Sequence, residues 1–217
     1  EKQGAGTIFF TGCNLNCVFC QNFQISQQGL GRDYTIPEFV EIMLNLESSG
    51  AVNIDLVSPT IWWRQIKEAV IFARGLGLTI PIVWNSNGFE KVEMLRELEG
   101  IVDIYLPDLK YSKGELAEIY SGIKNYFETV KLAIREMYRQ VGNLQIDEDG
   151  IAQKGLIVRH MILPGELENS KNALTKIVAA KFMASQKLRG TVLIEATFCN
   201  GTVSCAMRPF TLQGSTL

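Results

Sequence analysis

The sequence lacks several features that would assign it to common functional classes. No apolar run approaches the roughly 20 residues that span a bilayer, and no charged-then-apolar segment opens the chain. The formal charge is only -2 and the 21 basic residues are scattered, so no basic surface for nucleic acid or an anionic membrane is indicated. We therefore expect a cytoplasmic protein with no nucleic-acid or membrane partner.

Internal repeats, low-complexity tracts and linkers are also absent, and 217 residues fit one domain. A hydrophobic content of 47% with 20% charged residues is typical of a globular protein. Because the chain opens at Glu1 rather than Met, we expect it to be truncated at its amino terminus. We predict one core domain over residues 1–197 and leave 198–217 as an unassigned carboxyl-terminal tail.

Cysteine is sparse and unevenly placed. There are five cysteines, and three of them, Cys13, Cys17 and Cys20, crowd into TGCNLNCVFCQN. An odd number and such close spacing suit a disulfide framework poorly in a chain this large. Zinc sites usually take four protein ligands, and a fourth here would be the distant Cys199, Cys205 or the single histidine. Three close thiolates without a fourth nearby favour instead a four-iron cluster with one iron open to a substrate or cofactor.

Short apolar runs rich in β-branched residues alternate with amphipathic stretches along the chain. We predict strands in GTIFFTG, NIDLV, IPIVW, IVDIYL, LIVRHMIL and TVLIEAT, with mainly helices between them and a small hairpin turning at Asp149 and Gly150. Thr35 and Glu38 form a capping-box pattern before one helix, and another is predicted from about Glu90 to Glu99. This α/β alternation predicts a parallel sheet with right-handed crossovers. An open, partial (β/α)6 barrel with outer helices and a doubly wound sheet both fit it.

Polar side chains follow the first four predicted strands and lie within the fifth. Ligands of parallel α/β sheets bind at the carboxyl ends of the strands, so these side chains are expected to meet at one rim. Chance surface polarity would seldom place them all there. In strand order they are the three cysteines, then Ser58 and Thr60, then Asn85, Ser86 and Asn87, then Asp108 and Lys110, then Arg159 and His160.

The cysteine loop resembles the signature of radical S-adenosylmethionine enzymes, with three residues between the first two cysteines, two between the last two and Phe19 just before the third. GTIFFTGCNLNCVFCQN, NSNGFE, VDIYLPDLKY and IVRHMILPG together resemble proteins similar to pyruvate formate-lyase activating enzymes, over roughly residues 4 to 180. The resemblance implies a partial barrel, a 4Fe-4S cluster and bound S-adenosylmethionine. It further implies reductive cleavage of that cofactor to a 5'-deoxyadenosyl radical, which abstracts hydrogen from a substrate.

The resemblance also implies roles for individual residues. Cys13, Cys17 and Cys20 would bind the cluster, and Phe19 would lie near the adenine. The residues implied to line the cofactor and substrate pocket are Asn87, Asp108, Lys110, Arg159 and His160, with the last three as catalytic candidates. From their places at the same rim, Ser58, Thr60 and Asn85 are further cofactor-binding candidates.

One departure from the family pattern concerns the turn after strand two. Such activases often carry Gly-Gly-Glu there, to receive the amino group of the cofactor, whereas this chain has Ser58, Pro59 and Thr60. The tail cannot be matched to the family, and we expect Cys199 and Cys205 to be free cysteines.

Simpler explanations compete for several of these residues. Asp108 and Lys110 also suit an exposed loop pair, and Asn87 before Gly88 also suits a turn. A lone strand histidine such as His160 is more often a satisfied core residue than a catalyst. Because Arg159 and His160 are adjacent on a strand, only one of them can face a barrel interior.

The resemblance favours an activase of a glycyl-radical-type protein, reduced by a flavodoxin or ferredoxin. A radical enzyme acting on a small molecule or RNA is a second hypothesis. An inactive fragment or a non-catalytic iron–sulfur or metal-binding module is the alternative from a different class.

Overall fold

A computed structural model describes residues 4–179 and 192–195. Seven α-helices and eight strands are assigned within those residues, together with a 3-10 turn over Thr60–Trp62. The strands are β1 Gly6–Phe9, β2 Ile54–Val57, β3 Ile82–Ser86, β4 Ile104–Pro107, β5 Gln145–Ile146, β6 Ala152–Leu156, β7 Val158–Met161 and β8 Val192–Glu195. The helices are α1 Phe23–Ser26, α2 Ile36–Ser48, α3 Trp63–Gly75, α4 Val92–Arg96, α5 Gly114–Ser121, α6 Tyr126–Val141 and α7 Leu167–Ala179.

The parallel strands of the main sheet follow chain order, and the short antiparallel strand β5 lies at the edge beyond β6. The strands run β1-β2-β3-β4-β6-β5, with every pair parallel except β5 with β6. β7 pairs with β8 in parallel, and a bridge between Asp108 and Arg159 continues the parallel ladder from the end of β4 to β7. A doubly wound sheet would reverse its strand order at a switch point, and the described strands show no such reversal. The open, partial barrel is therefore confirmed.

The fifth predicted strand is divided in the structure. LIVRHMIL is interrupted at Ile157, and its first residue belongs to β6, which begins in the predicted hairpin. Gly155 allows this path, because it has φ +125° and a Cβ there would lie 2.5 Å from the carbonyl oxygen of Asn143. The hairpin arm can enter the sheet beside β4 only where the side chain is missing.

The helices cover the outer face of the sheet because their apolar stripes match the buried sheet positions. The predicted capping box of α2 is present: the Glu38 amide donates to Thr35 Oγ1 at 3.4 Å and the Thr35 amide to Glu38 Oε2 at 2.7 Å. The helix predicted from about Glu90 is shorter than expected. It is confined to Val92–Arg96, since the Glu90 carboxylate binds groups on the rim of the sheet instead.

None of the helices in the described ranges is long and apolar enough to cross a bilayer. The predicted tail 198–217, with Cys199 and Cys205, lies outside the described residues. The proposed domain boundary at residue 197 also lies outside them and stays a prediction.

Candidate functional site

The cysteine loop leaves the end of β1 and lies across the mouth of the barrel. Cys13, Cys17 and Cys20 are all half-buried, and none forms a disulfide. Helix α5 fixes the loop from outside, because the amide of Asn16 donates to the Ser121 carbonyl at 3.2 Å and that of Val18 to the Tyr120 carbonyl at 2.9 Å. The loop conformation therefore depends on a helix more than 100 residues further along the chain.

The three thiols line one cavity of about 160 Å³. Each sulfur has a polar neighbour: Ser121 Oγ lies 2.9 Å from Cys17 Sγ, Ser26 Oγ lies 3.1 Å from Cys20 Sγ, and Asn87 Nδ2 donates to Cys13 Sγ at 3.4 Å. Hydrogen bonds to cysteine sulfur are a means by which proteins tune iron–sulfur clusters. This donor set fits a cluster bound by three cysteines.

Burial raises the pKa of the Cys17 thiol, although the charge of Lys110 and the hydrogen bond from Ser121 act in the opposite direction. A buried thiol of this kind becomes a stable thiolate when a metal binds it.

In the described residues, no group of three Cys, His, Asp or Glu side chains is placed to hold a single metal ion. A mononuclear zinc site needs its ligands around one ion, so the arrangement of these residues gives that alternative no support.

The turn after β3 clamps the cysteine loop from the inner side. Asn87 Nδ2 donates to Asn14 Oδ1 at 2.6 Å, and Asn14 Nδ2 donates to the Phe89 carbonyl at 2.7 Å. Asn87 Oδ1 also accepts from the Phe89 amide at 2.9 Å, which is the turn role that its sequence context indicates. Asn87 therefore serves both the turn and the site.

A row of polar side chains crosses the inner face of the sheet. Asp108 pairs with Lys110 and with Arg159, whose Nη2 donates to Asn85 Oδ1 at 3.1 Å. The side-chain Nδ2 of Asn85 in turn donates to Asp55 Oδ2 at 3.4 Å. We call these five residues, Asp55, Asn85, Arg159, Asp108 and Lys110, the polar row.

The electrostatics of the polar row are set by its ion pairs. Burial alone would raise the pKa of Asp108, but the charges of Lys110 and Arg159 outweigh it and hold the pKa below its usual value. Asp108 and Lys110 are both buried, so the exposed loop pair that their sequence also suited is not what the structure contains.

Most of the predicted site residues meet at this rim. The cavity of the cysteines is also lined by Phe19, Ser58, Asn85, Ser86, Asn87, Asp108, Lys110 and Arg159. It joins a second cavity of about 380 Å³ that shares Asn85, Asp108 and Arg159. No contact in the structure tests what these residues bind, so their individual roles stay predictions.

Two predicted residues differ from the others in their contacts. Thr60 lines neither cavity, and its hydroxyl donates to Glu90 Oε1 at 2.9 Å. His160 is among the residues that line the larger cavity, but its side chain is fully buried and its Nδ1 donates to the Leu109 carbonyl. Because Arg159 turns inward to Asp108, strand alternation directs the His160 ring to the opposite face. Burial lowers the pKa of His160.

Three residues that organise the site were not predicted from the sequence. Glu90 is buried and accepts hydrogen bonds from Thr60, Trp84 and Ser86, but it was assigned to a helix. The Tyr126 hydroxyl contacts the carbonyls of Asn87 and Asp108 from a distant helix. Asp55 could have been identified from the sequence, because a charged residue in the middle of the apolar strand NIDLV is unusual. In the structure it alternates with buried neighbours.

An open parallel barrel with three cysteines at its mouth defines a class of iron–sulfur protein, and comparisons with known proteins agree with that class. The model of the radical SAM superfamily matches residues 7–174. The chain belongs to the radical SAM superfamily, whose members use a 4Fe-4S cluster and S-adenosylmethionine.

Among curated relatives, the uncharacterized protein MJ0674 of Methanocaldococcus jannaschii is 36% identical over 172 residues, covering 75% of this chain. The chain spans only 45% of that relative's length. Methylornithine synthase (PylB) is similar in structure, with a TM-score of 0.57 at 16% identity over 89% of this chain and 54% of that one. Streptococcus suis SuiB bound to S-adenosylmethionine has a TM-score of 0.55 at 12% identity over 82% of this chain and 38% of that one. At these identities the structures support the fold alone.

Proposed function

We propose that this chain is the catalytic core of a radical enzyme that abstracts hydrogen from its substrate. The observation that carries the proposal is the placement of three cysteines of one loop at the mouth of a cavity that also contains a buried row of charged side chains. The bound cluster would supply one electron, and S-adenosylmethionine would supply the 5'-deoxyadenosyl group that takes the hydrogen atom.

The residues around the cavity suit the two groups that have to be held. Cys13, Cys17 and Cys20 would bind the cluster through their thiolates. The ammonium group of Lys110 is close enough to Cys17 to lower the pKa of its thiol, so it would attract an anionic group held beside the cysteines, such as the carboxylate of the cofactor.

The turn after β2 differs from the common acidic anchor, and its geometry suggests a substitute. Ser58 adopts φ +58° and lines the cysteine cavity, while its amide donates to the Asn85 carbonyl at 3.0 Å. A non-glycine residue in the left-handed region costs free energy and is tolerated where a site needs that geometry. Backbone carbonyls and the Ser58 hydroxyl would then receive the amino group of the cofactor in place of a glutamate.

We further propose that the enzyme activates a glycyl-radical-type protein and receives its electron from a flavodoxin or ferredoxin in the cytoplasm. The support is the likeness of the loop and strand motifs to activating enzymes of that type. A substrate protein would have to present a short segment to the cavity beside the cysteines.

Anaerobic reconstitution tests the proposal. The wild-type chain should take up the iron and sulfide of one cluster, and reduction with S-adenosylmethionine present should release 5'-deoxyadenosine. Cys17→Ala should lose the cluster and the cleavage together, because Cys17 is a ligand. Val18→Ala is the matched control, since its side chain lies in the same loop but is 74% exposed.

A stable cluster whose spectrum does not change on addition of S-adenosylmethionine would contradict the enzyme proposal and favour a non-catalytic iron–sulfur module. Unchanged iron content in Cys17→Ala would contradict the ligand assignment. Labelling of a glycine α-carbon in a partner protein would support the activase role, whereas 5'-deoxyadenosine release with no such labelling would leave the core chemistry intact and remove that role.

A further inference from the structure

The second cavity extends from the polar row toward β1 and β2, away from the cysteines. Its volume is about 380 Å³, within the range of small-molecule sites. Thr7, Phe9 and Asp55 line this cavity but not the one at the cysteines, whereas Asp108 and Arg159 line both. The two cavities also share Gln21, Asn22, Val57 and Met161, so a molecule in the second cavity would lie directly beside whatever occupies the cysteine cavity.

Asp55 is the under-bonded member of the polar row. Its carboxylate accepts a long hydrogen bond from Asn85 at 3.4 Å and has the Thr7 side chain as a further neighbour, while its Oδ1 is buried without a well-aligned partner in the described residues. Asp108 differs, because it is paired with both Lys110 and Arg159. The negative charge of Asp108 is therefore compensated by two cations, whereas that of Asp55 is compensated far less.

The charge environment of Asp55 follows from this difference. Burial raises its pKa, and the hydrogen bond from Asn85, the charge of Arg159 and the Thr7 side chain across the β1–β2 pair only partly offset that effect. The described residues place no cation within ion-pairing distance of Asp55. A desolvated carboxylate without a counter-ion is costly, and a cation brought by a ligand would remove that cost.

We infer that Asp55 is a specificity-determining residue that binds a protonated aliphatic amine of the substrate inside the second cavity. The inference deepens the proposed function and rests on it, because it names the substrate class for that site. An ammonium group has three donors, so it can satisfy the carboxylate and also bond the Thr7 hydroxyl across the strand pair. The amine can belong to a free small molecule or to a lysine side chain of a polypeptide.

The test measures discrimination between a charged and a neutral probe of equal size. n-Butylammonium and n-butanol are titrated into the unreduced protein carrying its cluster and S-adenosylmethionine, and binding is followed by NMR. Charge-assisted hydrogen bonds predict that the wild type prefers the ammonium by roughly tenfold or more. A second pair, a capped lysyl tripeptide and its norleucine counterpart, separates the two sources of the amine, and a preference in either pair supports the inference.

Asp55→Asn should reduce the preference to about twofold or less, because it keeps the shape and removes the charge. Asp55→Ser serves the same purpose if the asparagine variant does not fold. Asp149→Asn is the matched control, since it removes a charge on the exposed hairpin. Equal affinity for both members of each pair, no binding at millimolar concentration, or a preference that survives in a folded Asp55 variant would each overturn the inference.

The outcome is separable from that of the proposed function. Cleavage of S-adenosylmethionine is measured without any probe, so its absence rejects the radical chemistry regardless of probe binding. Intact cleavage with no discrimination between the probes rejects only the role of Asp55.

Discussion

Glu90 provides a sharp test of how the rim is held together. Its side chain is 2% exposed and accepts from Trp84 Nε1 at 2.7 Å, from Thr60 Oγ1 at 2.9 Å and from Ser86 Oγ at 2.8 Å. These three donors belong to β3 and to the turn that follows β2. One carboxyl group therefore ties together two of the loops that form the site.

The protonation state of Glu90 decides what each substitution does. Burial raises its pKa, more than the three hydrogen bonds lower it. When Glu90 is protonated, one oxygen accepts from Trp84 while the other donates to Ser86, whose hydroxyl can act in either direction. Glutamine reproduces that pattern with its carbonyl oxygen and its NH2 group.

We expect Glu90→Ala to lower the free energy of unfolding by about 2–6 kcal/mol. Trp84 Nε1 is buried and can only donate, so losing its acceptor costs roughly 1–3 kcal/mol, and the emptied side-chain volume adds a cavity penalty of similar size. Glu90→Gln should cost about 1 kcal/mol or less near neutral pH. Urea unfolding under anaerobic conditions measures both, and Glu93→Ala on an exposed position of α4 should change stability by less than about 0.5 kcal/mol.

The pH dependence has a definite sign. Because the folded-state pKa of Glu90 is raised, its contribution is fully present below the unfolded-state pKa and is lost as the pH rises through the folded-state pKa. The wild type should therefore lose stability relative to Glu90→Gln with increasing pH, at up to about 1.4 kcal/mol per unit. Parallel pH profiles, or a relative gain by the wild type, would refute the raised pKa of Glu90.

Two further substitutions test the support of the cysteine loop. Ser121→Ala removes the hydroxyl that lies 2.9 Å from Cys17 Sγ. The lost hydrogen bond, of about 0.5–1.5 kcal/mol, should lower the reduction potential of the cluster by roughly 20–60 mV in an EPR-monitored redox titration. An unchanged or higher potential would contradict the hydrogen bond from Ser121 to the Cys17 sulfur. Gly88→Ala places a Cβ 2.4 Å from the Asp108 carbonyl oxygen at φ +76°, so it should lower the free energy of unfolding by at least about 2 kcal/mol. Gly29→Ala shares the positive φ at +67° but meets no atom within 4 Å and should cost about 1 kcal/mol; equal losses from the two would contradict the steric argument.

Much of the rim could be predicted because it depends on two local rules. Strands alternate with helices, and the residues that follow parallel strands share one edge, so Cys13, Asn85 and Asp108 could be grouped without tertiary information. Ser58 and Lys110 follow from the same reasoning, and all five line the cavity of the cysteines.

The remainder depends on contacts that local patterns do not encode. Ser121 reaches Cys17 across 104 residues, and nothing in the sequence of α5 marks that position. Glu90 lies where the sequence pattern predicts the start of a helix, but its carboxyl group instead accepts hydrogen bonds from Trp84 and Ser86 at the rim. The division of LIVRHMIL at Ile157 depends on where the hairpin enters the sheet, which Gly155 decides through a contact with Asn143.

The polar row links the two cavities through its charges. Lys110 lies at the cysteines and Asp55 in the second cavity, with Asp108 paired to Lys110 and to Arg159 between them. An anion bound near Lys110 would weaken the hold of Lys110 on Asp108, which would strengthen the pull of Asp108 on Arg159 and reduce the compensation that Arg159 gives Asp55. A cation bound from outside would then stabilise the Asp55 carboxylate more strongly. We therefore expect cofactor binding beside Lys110 to increase the affinity of Asp55 for an amine. By thermodynamic linkage, amine binding at Asp55 should increase the affinity for the cofactor by the same factor.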